Sequence, residues 1–417
     1  MLVGAPLKRS AERRHLTEHL EELARLADTA GAEVVGEVTQ LLERPNPATY
    51  LGKGKLEELR HCVVDVGATL VIFDDELSPT QGKNIELELG TRVMDRAEVI
   101  LDIFATRART SEARMQVELA QLEYMLPRLA RMWTHLEKTR GGIGLRGPGE
   151  TQIETDRRLI RHRIKVLRER LEDVRKSREV QRAGRREAFK ASLVGYTNAG
   201  KSSILRALAH ATDVFVEDRL FATLDPLTRE VDLGDHAPAL VTDTVGFIRK
   251  LPHDLVASFR ATLEEATDAD LLLHIIDASH PTWEEQVEVV NEVLVELNMA
   301  EKPRLHVFNK IDRLDADGLH SLQHRTHEEM RGALFVSAVA EGGIDPLRRA
   351  LLGAVRAKRP VVELEVSVTD GRLLAEVHRT TQVLDQAQHD GVMVLRARVD
   401  EATAGRLRGK GAKIRTH

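Results

Sequence analysis

Residues 195–202 read Gly-Tyr-Thr-Asn-Ala-Gly-Lys-Ser, the G-x-x-x-x-G-K-S pattern of a phosphate-binding loop. The chemistry explains the residue types. Glycine lets the backbone curl until its N–H groups point at one phosphate. Lys201 can then reach the β- and γ-phosphate oxygens, and the Ser202 hydroxyl can ligate Mg²⁺. The candidate nucleotide contacts are therefore Gly195, Tyr196, Thr197, Asn198, Ala199, Gly200, Lys201 and Ser202. About forty residues later come Asp243, Thr244, Val245 and Gly246. Here Asp243 would hold the metal through a water, and the Gly246 N–H would sense a γ-phosphate.

A third set, Asn309, Lys310, Ile311 and Asp312, closes another apolar run. The Asp312 carboxylate can accept both the N1–H and the exocyclic amine of guanine, a pair that adenine lacks. Leaving that carboxylate unpaired costs roughly 1–3 kcal/mol, about tenfold to a hundredfold against ATP. Asn309 would read the far edge of the base, and the Lys310 stem would cover its face. Ser337, Ala338 and Val339 follow the next strand-like run, where backbone N–H groups could meet the guanine oxygen. Four motifs in this order imply GTP binding.

Between the first two motifs lie Phe221, Ala222, Thr223, Leu224 and Asp225, where a switch loop must supply a threonine to the metal and the γ-phosphate. Thr223 fits that role, with Thr228 as the alternative. Lys201, Thr223 and Gly246 are the catalytic candidates; Ser202 and Thr223 are the metal ligands. Phe247 stands where many GTPases carry the glutamine that orients water. A phenyl ring cannot do so, which predicts slow intrinsic hydrolysis. A group supplied in trans can be worth about 10³–10⁵ in rate.

These motifs need strand ends to hold them. Strand-like runs at 190–195, 229–234, 238–243, 271–277, 304–310 and 333–338 alternate with helical segments such as 254–268, a doubly wound α/β pattern over about 189–358. Residues 1–108 carry strand signals at 32–38, 68–75 and 91–100, with helices over 54–67 and from 78, and predict a small parallel α/β domain. Over 109–188 the spacing changes. Met115, Leu119, Leu122, Leu126 and Leu129 form one stripe, and Ile160, Ile164, Leu167, Leu171 and Val174 another. Both have helical spacing, which predicts an antiparallel helical hairpin with a glycine-rich tip at 141–150. Pro127 should interrupt its first helix. Residues 360–417 read as a small α+β domain with strands at 361–368 and 391–399 around a helical middle.

The chain has 417 residues and a formal net charge of -5, so any nucleic-acid surface must be local. One is visible: residues 156–190 hold fourteen Arg or Lys against six Asp or Glu, a net of +8. Arg157, Arg158, Arg161 and Arg163, with Arg146 in the tip, are the RNA-binding candidates. Aromatic residues are only 3%, which favours backbone contacts over base stacking. Cys62 is the single cysteine, so no internal disulfide forms, and a cytoplasmic location fits. No apolar run is long enough to span a membrane. The segment "GKGK" at 52–55 is too short for a phosphate loop and reads as a turn with two solvated lysines.

The segments "PATYLGKGKLEEL" (47–59), "FDDELSPTQGKNIE" (73–86), "DRAEVILDIFATRARTSEARMQVELAQLEYMLPRL" (95–129) and "GGIGLRGPGETQIETDRR" (141–158), with "FATLDP" and "DTVGFI", closely resemble the HflX family of translational GTPases. The resemblance runs to about residue 358. It implies a cytoplasmic, monomeric GTPase that uses Mg²⁺, binds the large ribosomal subunit through ribosomal RNA, and splits stalled or idle ribosomes, notably under heat stress. It also implies ATP binding by the N-terminal domain in some members. One departure is Leu227, where the family commonly has a second threonine. The opening "MLVGAP" falls inside the family's first strand.

Overall fold

The computed structural model describes residues 1–129, 148–183, 188–210, 219–234, 238–251 and 266–416. The first sheet is parallel, in the order β2-β1-β3-β4, from β1 (Leu2–Gly4), β2 (Glu37–Thr39), β3 (Leu70–Phe73) and β4 (Arg92–Asp95). Its helices are α1 (Leu16–Thr29), α2 (Lys53–Val66), α3 (Pro79–Leu89) and α4 (Arg96–Arg107). Local chemistry sets their ends. Ser78 and Gln81 exchange bonds in a capping box, with Pro79 in the first turn, satisfying N–H groups that have no helical partner. The Asp95 side chain caps α4 by accepting from Glu98 N at 3.0 Å. The strand expected at 32–38 is shorter: only three residues reach β1, and Val34 and Val35 lie exposed. The lysines of "GKGK" open α2, with Gly52 as its N-cap and Lys55 bonded to Glu58 at 2.7 Å.

Helix α5 (Ser111–Met125) ends in a 3-10 turn, Leu126–Arg128, at Pro127, as the proline demands. Helix α6 spans Pro148–Ala183. The two predicted stripes meet: Leu119, Ile164 and Leu167 are buried together, flanked by Met115, Leu122, Leu126, Ile160 and Leu171. The tip expected at 141–150 is corrected at its end, because Pro148–Glu150 already belongs to α6. Proline suits a first helical turn, where its missing N–H costs nothing. The rest of the tip, with Arg146, lies outside the described residues.

The second sheet has the order β10-β9-β8-β5-β7-β6 and is parallel except at β6–β7. Its strands are β5 (Phe189–Gly195), β6 (Leu227–Asp232), β7 (Pro238–Asp243), β8 (Leu271–Asp277), β9 (Arg304–Asn309) and β10 (Leu334–Phe335). Helix α7 (Lys201–Ala209) follows β5; α8 (Trp283–Glu296), α9 (Ala316–Glu329) and α10 (Asp345–Lys358) follow in turn. The helix expected at 254–268 lies almost wholly outside the described residues. The third sheet is antiparallel, in the order β12-β13-β11-β14, from β11 (Val361–Ser367), β12 (Gln382–His389), β13 (Val392–Arg398) and β14 (Lys413–Thr416). Helices α11 (Gly371–Thr380) and α12 (Glu401–Gly409) make a β-α-β-β-α-β order. Two of these strands, β12 and β14, add to the pair expected.

Separate apolar clusters lie in the first, second and third sheets. The largest cluster belongs to none of them alone. It joins Leu20, Leu23, Ile100, Phe104 and Val117 to Leu220, Phe221, Leu224, Val245 and Phe247.

Candidate nucleotide site and its shared border

The loop after β5 turns into α7 through Gly200, at φ 93°. A Cβ there would lie 2.3 Å from Asn309 Nδ2, so glycine is required both for its backbone and for its lack of side chain. Asn309 ties the loop down: its Nδ2 donates to Ala199 O at 3.0 Å and its Oδ1 accepts from Ala338 N at 3.2 Å. Lys310, in the left-handed region at φ 65°, donates to Asn198 O at 2.8 Å and pairs with Asp277 at 2.7 Å. Ser337 donates to Asp312 Oδ1 at 2.5 Å and accepts from Val339 N at 3.3 Å. Ile311 packs half-buried beneath this corner. Asn309, Asp312 and Ala338 thus line one end of a cleft whose other end is Lys201, Ser202 and Thr223.

At that other end, three oxygens converge. Ser202 Oγ donates to Asp243 Oδ2 at 2.6 Å and lies 2.9 Å from Thr223 Oγ1, which is itself 3.1 Å from Asp243 Oδ2. The second carboxylate oxygen, Oδ1, is buried with no well-formed hydrogen bond among the described residues. Burial pushes the Asp243 carboxyl above its ordinary value, against the pull of Lys201 and the two hydroxyls. A carboxylate and two hydroxyls held in this way suit a hard divalent cation. The alternative ligand, Thr228, is excluded by position: it sits in β6 with its hydroxyl 2.9 Å from Thr242 Oγ1.

Lys201 is buried and donates to Gly195 O at 3.2 Å and Tyr196 O at 2.8 Å. Burial pushes its pKa down to about 8, with Asp243 opposing and Lys310 adding to the fall. The segment after β7 closes over it. Thr197 N donates to Phe247 O at 2.7 Å, and Phe247 N donates to Gly195 O at 3.1 Å. A Cβ on Gly246 would stand 2.7 Å from Thr197 Cα and 2.9 Å from Lys201 Nζ. Only glycine lets these backbones come so close.

Several neighbouring residues commit their side chains elsewhere, although Phe221 and Thr244 still line the cleft. Thr244 donates its hydroxyl to Leu193 O at 2.7 Å. Val245, Leu224 and Phe247 enter the shared apolar cluster. Phe221, at φ 55°, sets its ring edge-on to Phe104 of α4 at 4.6 Å. The Asp225 side chain, expected among the nucleotide contacts, accepts from Arg109 N at 3.1 Å and the Thr110 hydroxyl at 2.5 Å, at the start of α5. Tyr196 also points outward, donating to Glu22 of α1 at 2.5 Å and accepting from Arg249 N at 2.9 Å.

Around Tyr196 lies an ionic network that the motifs do not reveal. Arg96, 1% exposed, donates to Asp74 at 2.9 Å, to Arg249 O at 2.9 Å, and to Glu22. Asp74 also receives Arg249 at 2.7 Å and Lys250 at 3.2 Å. Burial alone would raise the Asp74 pKa, but these three cations hold it well below the usual carboxylate range. The sequence clue is the pair Asp74-Asp75 directly after β3 and Arg249-Lys250 directly after "DTVGFI". No spacing rule connects charges some 175 positions apart.

A cleft with the Asn309–Asp312 motif at one end and the phosphate loop at the other is that of the P-loop GTP hydrolases. Family models agree along the chain. "GTP-binding GTPase N-terminal" matches residues 17–105, "GTP-binding GTPase Middle Region" 107–185, and "50S ribosome-binding GTPase" 190–310. Over 374 residues the chain is 47% identical to GTPase HflX of Flavobacterium psychrophilum, spanning 85% of this chain and 90% of that one. To GTPase HflX of Escherichia coli K12 it is 44% identical over 388 residues, 92% and 90% of the two chains. A GTP-binding protein of Sulfolobus solfataricus, solved with GDP, aligns over 85% of this chain and 99% of its own at 26% identity and a TM-score of 0.44. The chain belongs to the GTPase HflX family. No helix among the described residues is long and apolar enough to cross a membrane.

Proposed function

We propose that this chain binds the large ribosomal subunit as a cytoplasmic monomer and uses GTP to dissociate stalled or idle ribosomes. The observation that carries the reading is the exposed basic face of α6, on a protein whose GTP-binding region matches a family described as 50S ribosome-binding. Arg158 and Arg161 are exposed and Arg157 half-buried, with no ion pair to a described residue, so their charge is free for RNA phosphates. Arg146, outside the described residues, is the fourth candidate from the sequence. Arg163 joins it less readily, since it forks onto Glu118 at 2.6 and 2.8 Å.

Within the cleft, Asp312 reads guanine, Lys201 and the loop N–H groups hold the phosphates, and Gly246 senses the γ-phosphate. Mg²⁺ would be held by Ser202 and Thr223 with Asp243 behind them, and would neutralise charge on the β- and γ-phosphates. Phe247 is spent on the shared core and cannot orient water, so hydrolysis by the free protein is slow and the ribosome completes the site. Sedimentation of assembled ribosomes tests this. With a non-hydrolysable GTP analogue the protein should convert them to subunits. Intact ribosomes, with binding confined to immature subunits, would favour an assembly role instead.

A further inference from the structure

We infer that Thr110 and Asp225 form a latch through which the start of the helical hairpin positions Thr223 over the metal site. The inference rests on the reading of Thr223 as the metal ligand. Within three residues the switch loop makes contacts in opposite directions. Thr223 faces inward, 2.9 Å from Ser202 Oγ and 3.1 Å from Asp243 Oδ2. Leu224 is buried in the shared apolar cluster. Asp225 faces outward and takes the N–H of Arg109 at 3.1 Å and of Thr110 at 3.4 Å, plus the Thr110 hydroxyl at 2.5 Å.

Thr110 is the N-cap of α5, accepting from Ala113 N at 3.1 Å. The Asp225 carboxylate therefore adds a negative charge at a helix N-terminus, where the helix dipole favours it. Upstream, Phe221 holds a left-handed backbone that a bulky residue adopts only when its surroundings demand it. The demand comes from Phe104 on α4. One loop conformation thus satisfies the metal site and the hairpin together. A ligand that fixes Thr223 must favour the latch, and the latch must favour that ligand by the same factor. A γ-phosphate with its cation draws on Thr223, whereas GDP does not. Thr110 is then a positioning residue acting from outside the nucleotide-binding sheet, and the angle at which α5 leaves it becomes sensitive to hydrolysis. The contacts are partly solvent-exposed, so the latch is weak enough to reopen.

The test uses the full chain and fluorescent titrations of GDP and a non-hydrolysable GTP analogue across Mg²⁺ concentrations. Asp225→Asn keeps shape and capping capacity; Thr110→Val removes the hydroxyl; Thr110→Ser keeps it. The first two should lower analogue affinity relative to GDP about three- to tenfold and raise the Mg²⁺ needed for half-saturation, and their combination should be no worse than either. The serine variant should match the parent. Equal losses for both nucleotides, or additive losses in the double variant, would overturn the latch. Thr223→Ala separates the underlying reading. If it leaves the Mg²⁺-dependent preference for the analogue intact, the metal assignment fails; if it abolishes the preference while Thr110→Val changes nothing, only the latch fails.

Discussion

The two ends of the cleft are built on different plans. At the base end, Asn309, Lys310, Asp312 and Ser337 bond to one another's neighbours and to the phosphate loop, all within the second sheet's own connections. Around the phosphate end, Tyr196, Phe221, Leu224, Phe247 and Arg249 direct their side chains out of the second sheet's own connections. Their side chains pack against or bond to α1, α4 and the end of β3. Base recognition is therefore a local property. The phosphate end is shared, so a shift of Phe221, Leu224 or Phe247 would also disturb contacts with the N-terminal elements. That coupling is what a GTPase needs if hydrolysis is to alter a distant surface.

The largest test strikes the shared end. Arg96→Met should destabilise the fold by about 3–5 kcal/mol, because it strips one cation from a buried cluster and leaves Asp74 and Glu22 less well matched. Denaturant unfolding measures it. A loss below about 1 kcal/mol would mean that Arg249 and Lys250 suffice, and that the border is less interdependent than its bonds suggest. At the base end the consequences should be chemical rather than structural. Asp312→Asn should lower GTP affinity about tenfold to a hundredfold and shift preference toward xanthine nucleotides, since an amide donates where the carboxylate accepts. The unfolding midpoint should stay near that of the parent. An unchanged guanine preference, or a marked loss of stability, would erase the contrast between the ends.

A third test reads protons. Unliganded Lys201 titrates at about 8, lowered by burial from an ordinary 10.5. A bound polyphosphate favours the charged form, so affinity is complete below pH 8 and falls as pH rises through it, by at most about tenfold per unit. Binding at pH 8.5 should take up a proton, visible by calorimetry in two buffers of different ionisation enthalpy. The unliganded fold shows the opposite trend. Between 8 and 10.5 the unfolded chain binds more protons at this lysine, so this group's contribution to stability rises with pH. Affinity that stays flat from pH 7.5 to 9, with no proton uptake, would show that Lys201 keeps its proton in the unliganded fold, with Asp243 offsetting its burial.

How much was legible follows the same division. The base end could be read because Asn309 to Asp312 is one short segment at a strand end, and its partners lie in equally recognisable motifs. Fold elements with local signals were legible too: Ser78-Pro79 announced α3, and the two leucine-rich stripes announced the contact of α5 with α6. The shared border was not, since nothing local tells Tyr196 to seek Glu22 or Asp225 to seek Thr110. The sequence assigned Asp225 to the ligand because of its neighbours, and tertiary packing gives its side chain Arg109 and Thr110. Strands β12 and β14 escaped for another reason. Gln382–His389 is exposed along most of its length and carries no alternating apolar face, and of residues 413–415 only Ile414 packs on the core. Pairing with β13 and β11 makes them strands, and pairing partners are not written in either segment.

The smallest expected effect lies on the hairpin, where the basic set itself divides. Arg163 reaches across to Glu118 with two bonds, and Arg168 reaches Glu123 at 2.6 Å, while Arg157, Arg158 and Arg161 have no such partner among the described residues. Exposed pairs of this kind contribute little to stability, so Arg163→Gln should leave the unfolding midpoint close to that of the parent. It should also leave ribosomal-subunit binding and its salt dependence nearly unchanged, because that charge is already matched within the hairpin. Replacing Arg158 or Arg161 with Gln should weaken binding and flatten the dependence of affinity on salt, each lost phosphate contact removing about one unit or less of slope. If Arg163→Gln weakens binding as much as Arg158→Gln does, the pair with Glu118 must open on the RNA surface, and the hairpin's internal ion pairs become part of its binding face rather than its frame.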